Sequence, residues 1–388
     1  MSDVILARAV TKLPTANGAR YSCIVEGLGD NRTLWFDVSS TLGSHMPARS
    51  DDWILLSLLI LAMNSGRNLR VEGRLSPLLL HGARSDIQHL LRKFDPRLSF
   101  IEVEGDVCPQ QPPACERLRI GTGFSAGIDS FAAASSFDET GLAPTLAVTD
   151  VFTFNVGALG GGLGANTRRA FALIFERAKE FSALSGATAH GVDSNLHTFY
   201  TGQPGMEFPR THTLRNMAAA SLFQSEIDCY LYASGISYGE MNLASASDIA
   251  NFDPILLPLL APAGMRFISA NPGLDRVKKT RAVSANELAR RMLDVCVAPT
   301  AARAEAIRNR RNCSRCWKCY RTMVTLDALE QLDQFAQVFD VDYYRERTDG
   351  IVRQVKKRGA KGSAPDKAAY DCYAAAKLVP ALHPALDQ

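Results

Sequence analysis

An α/β fold, a parallel sheet with helices on both faces, is predicted by three observations. From Leu118 onward, strand-like and helix-like segments alternate. The strand segments are short and rich in β-branched and aromatic residues. A loop of small residues joins the first of them to a helix. An α+β segment precedes this core, and a cysteine-bearing helical segment follows it.

In chain order, strands are expected at Ile5–Val10, Tyr21–Glu26, Arg32–Val38, Asn68–Glu72 and Ser99–Glu104. A helix begins after Ser50, with Asp51 and Asp52 in its first turn, and another begins at Pro77 with Ser76 as cap. Trp53–Met63 is too short to span a bilayer and reads as a buried helix. Asp106–Glu116 (DVCPQQPPACE) cannot continue a strand or helix, because its prolines fix φ and lack amide donors. Three domains follow: residues 1–115, an accessory α+β domain; 116–332, the catalytic domain; and 333–388, a helical extension with a basic, mobile loop at Arg353–Ser363. In the middle domain, strands are expected at Leu118–Phe124, Thr145–Asn155, Ala187–Val192 and Cys229–Ser234. Helices are expected at Asp129–Phe137, Asn166–Leu184 (Asn166 as cap, Gly186 as stop) and Thr211–Gln224. Ser284-x-x-Glu287 forms a capping box for a helix through Val295, and Tyr320–Leu332 is helical.

Bulk properties exclude several classes. With 43 Lys and Arg against 40 Asp and Glu, the net charge of +3 argues neither for nucleic acid nor for a membrane surface as partner. Met1–Val10 holds no long apolar run, so no secretory signal is expected and a cytoplasmic setting follows. Three of the nine cysteines fall in Cys313-x-x-Cys316-x-x-Cys319, a metal-site spacing. Cys296 supplies a fourth thiolate for a tetrahedral, structural Zn2+ site, with an iron–sulfur cluster as the competing reading. Arg310, Arg311, Arg315, Lys318 and Arg321 would offset its negative charge.

The segment Phe124-Ser125-Ala126-Gly127-Ile128-Asp129-Ser130 is a candidate phosphate loop. Small residues let backbone amides approach phosphate oxygens, Ser125 and Ser130 add hydroxyls, and Asp129 is a ligand for Mg2+. A Walker A loop is excluded, since no Gly-Lys-Ser/Thr triplet exists. A Rossmann loop competes through Gly121-x-Gly123-x-x-x-Gly127, with Asp150 as its ribose-binding acid. The third reading is Ser-Gly-Gly-x-Asp-Ser, the PP-loop signature of ATP pyrophosphatases, matched except at Ala126.

This loop followed downstream by a four-cysteine site resembles the QueC family, the 7-cyano-7-deazaguanine synthases of queuosine biosynthesis. Arg215-Asn216 is similar to that family's Arg-Asn pair, Ser234-Gly235-Ile236-Ser237-Tyr238-Gly239 to its Gly-Val-Asn segment, and Lys278-Lys279 to its lysine before the zinc helix. The resemblance spans about Arg117 to Leu332. Departures are Ala126, the missing Tyr-Pro-Asp-Cys-Arg segment in Glu240–Pro254, and the 16 residues between Cys296 and Cys313. They suit a divergent member of the kind found in bacterial anti-phage operons.

The resemblance implies a PP-loop (HUP-like) fold and adenylation of a carboxylate, a 7-deazaguanine acid or similar small heterocyclic acid, giving a nitrile or an amide conjugate. It implies ATP and catalytic Mg2+ as cofactors, Asp129, Ser130, Lys279 (or Lys278) and Arg215 as catalytic residues, and Asn155 beside the adenine. Arg215 would meet the α-phosphate or the substrate carboxylate, its plain alternative being a surface arginine. Asn216, Gly235, Ser237, Tyr238 and Glu240 would line the substrate site. Gly157–Gly164 would close over it or merely connect, and His197 or His212 would act as base or sit structurally. A homodimer and a protein acceptor or operon partner are further implications. tRNA thiolation is the alternative function, supported by the basic Arg353–Lys361 run.

Overall fold

The computed structural model describes residues 3–43, 45–108, 118–136, 146–159, 164–297 and 311–378. These residues form two compact units. The first comprises residues 1–124, 136–235 and 241–270; the second comprises residues 125–135, 236–240 and 271–388.

The first unit is built on ten strands: β1 Val4–Thr15, β2 Gly18–Glu26, β3 Arg32–Ser40, β4 Asn68–Leu75, β5 Val103–Val107, β6 Ile120–Gly123, β7 Asp150–Asn155, β8 Thr188–Ser194, β9 Cys229–Ala233 and β10 Arg266–Ala270. They make one sheet in the order β10-β9-β6-β7-β8-β3-β2-β1-β4-β5. The run from β10 to β8 is parallel, as are β1/β4 and β4/β5. The pairs β8/β3, β3/β2 and β2/β1 are antiparallel. The sheet therefore runs through the boundary expected near residue 115. Its two halves join where Phe36 to Ser40 of β3 pair with Ser194 to His190 of β8.

Alternation along β3 places helices on both faces. Phe36 and Val38 are buried on one face, and Trp53 of the helix Asp52–Ser65 meets Phe36 edge-on at 5.5 Å. Every residue of that helix from Asp52 to Met63 is buried, as an apolar run without amphipathic spacing requires. On the opposite face, Ser39 pairs with Gly191, and a Cβ at Gly191 would lie 3.0 Å from the Phe175 ring of the helix Ala165–Ser185. Gly121 has a similar reason: a Cβ there would stand 2.3 Å from the Phe152 ring.

The amino ends of the central parallel strands share one buried carboxylate. Asp150 is fully buried and accepts from His190 (2.8 Å), Thr149 (2.7 Å) and Arg119. Burial alone would raise its pKa, but the His190 and Thr149 hydrogen bonds and the Arg119 charge outweigh that and hold it below the usual range. Another buried carboxylate, Asp52, accepts from Ser50, from the Ser76 amide and from the Ser76 hydroxyl. Ser76 precedes the helix Pro77–Ala83 as expected, but its hydroxyl serves Asp52 and makes no cap bond.

Several boundaries differ from the sequence expectation. The strand expected at Thr145–Asn155 begins only at Asp150, because its partner ladder starts at Gly121↔Asp150. β5 lies at Val103–Val107 rather than Ser99–Glu104. Gly164, not Asn166, caps the helix Ala165–Ser185. The helix Phe208–Ser221 starts earlier than Thr211, since Pro209 suits a first turn.

In the second unit, Ser284 is no cap. It lies inside the helix Arg276–Ala285 and donates to the Arg281 carbonyl. Asn286 instead caps the helix Glu287–Met292 through the Ala289 amide, and that helix ends before Val295. The cysteine helix is Trp317–Ala328. Arg353–Ala360 is not a loop but the end of the helix Val341–Ala360, whose residues favour helix and which is held by buried Ile351 and Val355. Residues 109–117, 137–145, 160–163 and 298–310 fall outside the described residues, and with them parts of the proline segment, of the Gly157–Gly164 loop and Arg310. Among the described residues, no helix is long and apolar enough to cross a membrane.

Substituting Asp150→Ala leaves Arg119 and His190 without their anion and should cost about 3–5 kcal/mol at pH 7, measured by urea unfolding. The folded pKa of Asp150 is depressed. Its contribution is therefore full above about pH 4, where the unfolded carboxyl ionises, and is lost as pH falls through the lower folded value. The wild-type advantage over D150A should shrink accordingly between about pH 5 and about pH 2.

Candidate functional site

Of the candidate phosphate loop Phe124–Ser130, residues 125–130 belong to the second unit and Phe124 to the first. Ser125 is exposed and Ala126 is buried with φ of 60°. That left-handed conformation is the one a glycine adopts freely, so the alanine that departs from the PP-loop signature costs about 1–2 kcal/mol. The Ala126 carbonyl accepts from the Asp294 amide at 2.7 Å. Gly127 caps the short helix Ile128–Ala134 with an ordinary φ of −84°. Ile128 is buried, and the Ser130 hydroxyl donates to the Gly127 carbonyl at 2.9 Å, within the loop itself.

Asp129 is the charged centre of this region. Arg276 reaches it at 2.7 Å and Lys279 at 3.4 Å, both from the helix Arg276–Ala285. That helix is capped by Asp275, which accepts from the Lys278 amide, and its residues 276 and 279 share one face. Lys279 is 3 % exposed, whereas Lys278 is exposed, so Lys279 is the lysine at the loop. Burial lowers the Lys279 pKa, opposed by the Asp129 charge. Burial and the Arg276 charge likewise lower Arg321, to about 10, and Lys318; both also feel Asp129. Two cations thus meet Asp129 directly, and Lys318 and Arg321 lie within reach of its charge. Nothing in the sequence singled out Arg276, although its spacing from Lys279 within Arg-Val-Lys-Lys could have done so.

Cys296, Cys313, Cys316 and Cys319 form a cluster whose sulfurs all lie within 4.8 Å of one another. The Cys316–Cys319 and Cys313–Cys319 separations are 3.4 and 3.9 Å, bracketing the value of about 3.8 Å that tetrahedral Zn–S bonds impose. Ser314, buried with φ of 55°, turns the chain so that the Arg315 and Cys316 amides point at the Cys313 sulfur, at 3.4 and 3.3 Å. Side-chain hydrogen bonds with Cys296, Cys313 and Cys319 push the Cys316 thiol well below its ordinary value, while Cys319 is pushed up. Four sulfurs this close repel one another as thiolates unless a cation holds them.

The basic residues expected around this cluster serve it unequally. Lys318 feels the Cys316 charge. Arg311 donates to the Arg291 carbonyl, Arg315 stacks on Tyr343 and Arg321 pairs with Asp366. Two residues missed in the sequence tie the cluster to the loop. Asp294 holds Ala126 through its amide and accepts from the Cys296 amide at 3.1 Å through its side chain. Asn312, beside Cys313, bonds to Val295, Leu293 and Val338.

The remaining expected residues divide between the units. In the second, Ser237 donates to Glu240 through amide (3.0 Å) and hydroxyl (2.7 Å), and Tyr238 is exposed. In the first, Phe124 is buried and stacks on Phe181. Asn155, at the end of β7, donates to Asp193 at 2.6 Å, and its Oδ1 has no hydrogen-bond partner. Asn216 donates to the Tyr232 hydroxyl, within a network where His212 bonds Tyr232 and Asp248. That network gives His212 a structural place. Gly235 is open: a Cβ added there would meet only the Ala250 Cβ, at 3.9 Å. Arg215 is no surface arginine: it is 4 % exposed and lines a cavity together with His197.

Comparison with family models, with curated proteins and with solved structures found no match to this chain. The geometry nevertheless removes the Rossmann alternative. Gly121 and Gly123 lie inside β6, and Asp150 is enclosed by Arg119 and His190 rather than available to a ribose.

Purified protein should carry about one Zn2+ per chain, as four thiolates at this spacing imply. Cys316→Ser should lower both metal content and melting temperature, and chelation of the wild type should reproduce the loss. Elemental analysis alongside thermal unfolding provides the check.

Proposed function

We propose that the loop Ser125–Ser130 binds the phosphates of ATP and that the protein adenylates a carboxylate, as a PP-loop ATP pyrophosphatase. The observation that carries this reading is the setting of Asp129, with Arg276 at 2.7 Å and the buried Lys279 at 3.4 Å beside the loop. Arg276 and Lys279 both meet Asp129 beside the loop, while Arg321 is already paired with Asp366, and two cations flanking a loop of small residues suit the oxygens of a triphosphate.

In the reaction, a carboxylate oxygen attacks the α-phosphorus and the bond to the bridging oxygen of the β-phosphate breaks, releasing pyrophosphate. Lys279 and Arg276 stabilise the charge that grows on the departing pyrophosphate. Asp129, relieved of its cations as they turn to the phosphates, would present a carboxylate oxygen to Mg2+. Mg2+, when bound, neutralises phosphate charge. Ser125 is exposed and free to rotate its hydroxyl toward phosphate, and Ser130 can do so by leaving the Gly127 carbonyl. An amine then attacks the acyl-adenylate carbonyl and displaces AMP, giving an amide. A nitrile requires a second activation, of the amide oxygen. The four cysteines would hold Zn2+ in a structural role, since four protein ligands leave no open coordination position. The QueC-like resemblance suggests a 7-deazaguanine acid as the substrate.

Thiolation is less well supported. It needs a reactive cysteine, and outside the cluster the described cysteines are Cys23, Cys108, Cys229 and Cys372. Burial raises all four thiols, Cys23 to about 12 and Cys229 to about 11. The basic run that favoured a tRNA partner is part of a helix in which Arg358 stacks on Trp317 and Lys356 on Tyr370.

ATP with Mg2+ should stabilise the wild type by about 2.7 kcal/mol at a hundredfold excess over Kd, read as a rise in melting temperature, and NAD should not. Lys279→Met should slow pyrophosphate release about 10²- to 10³-fold, and Asp129→Asn should abolish it while the protein still folds, with a lower melting temperature because Arg276 and Lys279 lose their anion. Equal ATP stabilisation of wild type and K279M would refute the phosphate site.

A further inference from the structure

Residues 293–296 lead from the end of the helix Glu287–Met292 to Cys296, the first thiol of the cluster. Leu293 and Asp294 are buried there. The Asp294 amide donates to the Ala126 carbonyl at 2.7 Å, and the Asp294 carbonyl oxygen lies 3.8 Å from where a Cβ on Gly127 would stand. One residue thus packs on two consecutive residues of the loop. Its side chain reaches the other way: Oδ1 accepts from the Cys296 amide at 3.1 Å, closing a turn over residues 294–296. Asn312, buried and next to Cys313, fixes both neighbours of Asp294. It accepts from the Val295 amide at 2.9 Å and donates to the Leu293 carbonyl at 2.8 Å.

This arrangement has a mechanical consequence. Ala126 holds a φ of 60°, which a residue with a Cβ keeps only where its surroundings over-determine it. One of those surroundings is an amide whose own place is set by the flanks of two cluster cysteines. An ion that draws the four sulfurs together fixes the Cys296 amide and the residue before Cys313 at once. Without the ion, the turn over residues 294–296 loses its fixed end. A second route between cluster and loop runs through Lys318, which feels both Asp129 and Cys316. That route is charge alone and does not shape the loop backbone.

We infer, on the reading of Ser125–Ser130 as a phosphate loop, that Asp294 is a positioning residue that makes the affinity of the loop for a nucleoside triphosphate depend on the ion held by the four cysteines. The ion strengthens nucleotide binding without touching the nucleotide. By reciprocity, bound nucleotide tightens the hold of the cysteines on their ion by the same factor.

The test is equilibrium Zn2+ competition on the Zn2+-loaded full chain. A chelator is titrated with and without α,β-methylene-ATP, at a saturating concentration for each protein and in excess Mg2+. This analogue cannot be cleaved at the α–β bond, so no turnover contributes. The readout is the chelator concentration that removes half of the Zn2+. In the wild type, the analogue should raise it at least about fivefold. Asp294→Ala should cut the rise to under about twofold, and Asp294→Asn, which keeps an Oδ1 acceptor for the Cys296 amide, should restore it. Any Zn2+ taken up by the analogue itself affects all three proteins alike. A rise in D294A equal to that in the wild type, or no rescue by D294N, would overturn the assignment. So would no rise in the wild type, a result that needs no variant to fold. If the loaded wild type does not bind the analogue, the phosphate-loop reading falls and the assignment with it. Binding without a rise in Zn2+ retention would remove the assignment alone.

Discussion

The hydrogen bond from the Asp294 amide to the Ala126 carbonyl organises the second unit. A phosphate loop works only if its amides and hydroxyls hold their places before the anion arrives. Here the loop's left-handed residue, which an alanine occupies at a cost, is pinned from outside by that bond. The pin in turn depends on the cysteine cluster, because the Asp294 side chain accepts from the Cys296 amide and Asn312 fixes the flanking Leu293 and Val295. The cysteine cluster and the candidate phosphate loop are therefore consecutive supports in one chain of contacts. A metal that touches no substrate can still govern how well a nucleotide is held.

The first unit solves a different problem. Parallel strands bring their amino ends together, and there Asp150 gathers Arg119, Thr149 and His190 around a buried carboxylate. The opposite ends of strands are where ligands gather in such sheets. Asn155 stands at that end of β7, with an amide oxygen that no hydrogen bond satisfies. The Arg215 cavity repeats the pattern of polarity left open. Both contrast with Asp52, whose buried oxygens meet three donors and which has the character of a purely structural group.

Much of this was legible in the sequence where local chemistry decides the outcome. Small residues before Asp129, cysteines two residues apart, and the apolar run from Trp53 to Met63 each carry their structure in their spacing. Other features were not local. The sheet continues from β8 to β3 because Val38 pairs with Val192, far apart in the chain, and no composition change at the proline segment could reveal it. Ser284 and Glu287 satisfied the spacing of a capping box, yet Asn286 lay between them and is the stronger cap. Arg353–Ala360 looked like a solvated basic loop, but buried Ile351 and Val355 anchor it as a helix. Arg215 was visible as a candidate, while its burial against Tyr200 was not.

The second unit is assembled from three separate stretches of chain, residues 125–135, 236–240 and 271–388. The ribosome delivers the loop early and its partners Arg276, Lys279 and Asp294 late. During synthesis, the nascent loop must wait without its native contacts while much of the sheet can already pair. Such long-range closure slows folding and prolongs exposure of unfinished surfaces. Once the cysteine segment emerges, capture of a metal by the four thiols would gather that segment in one step, tying completion of the second unit to metal supply.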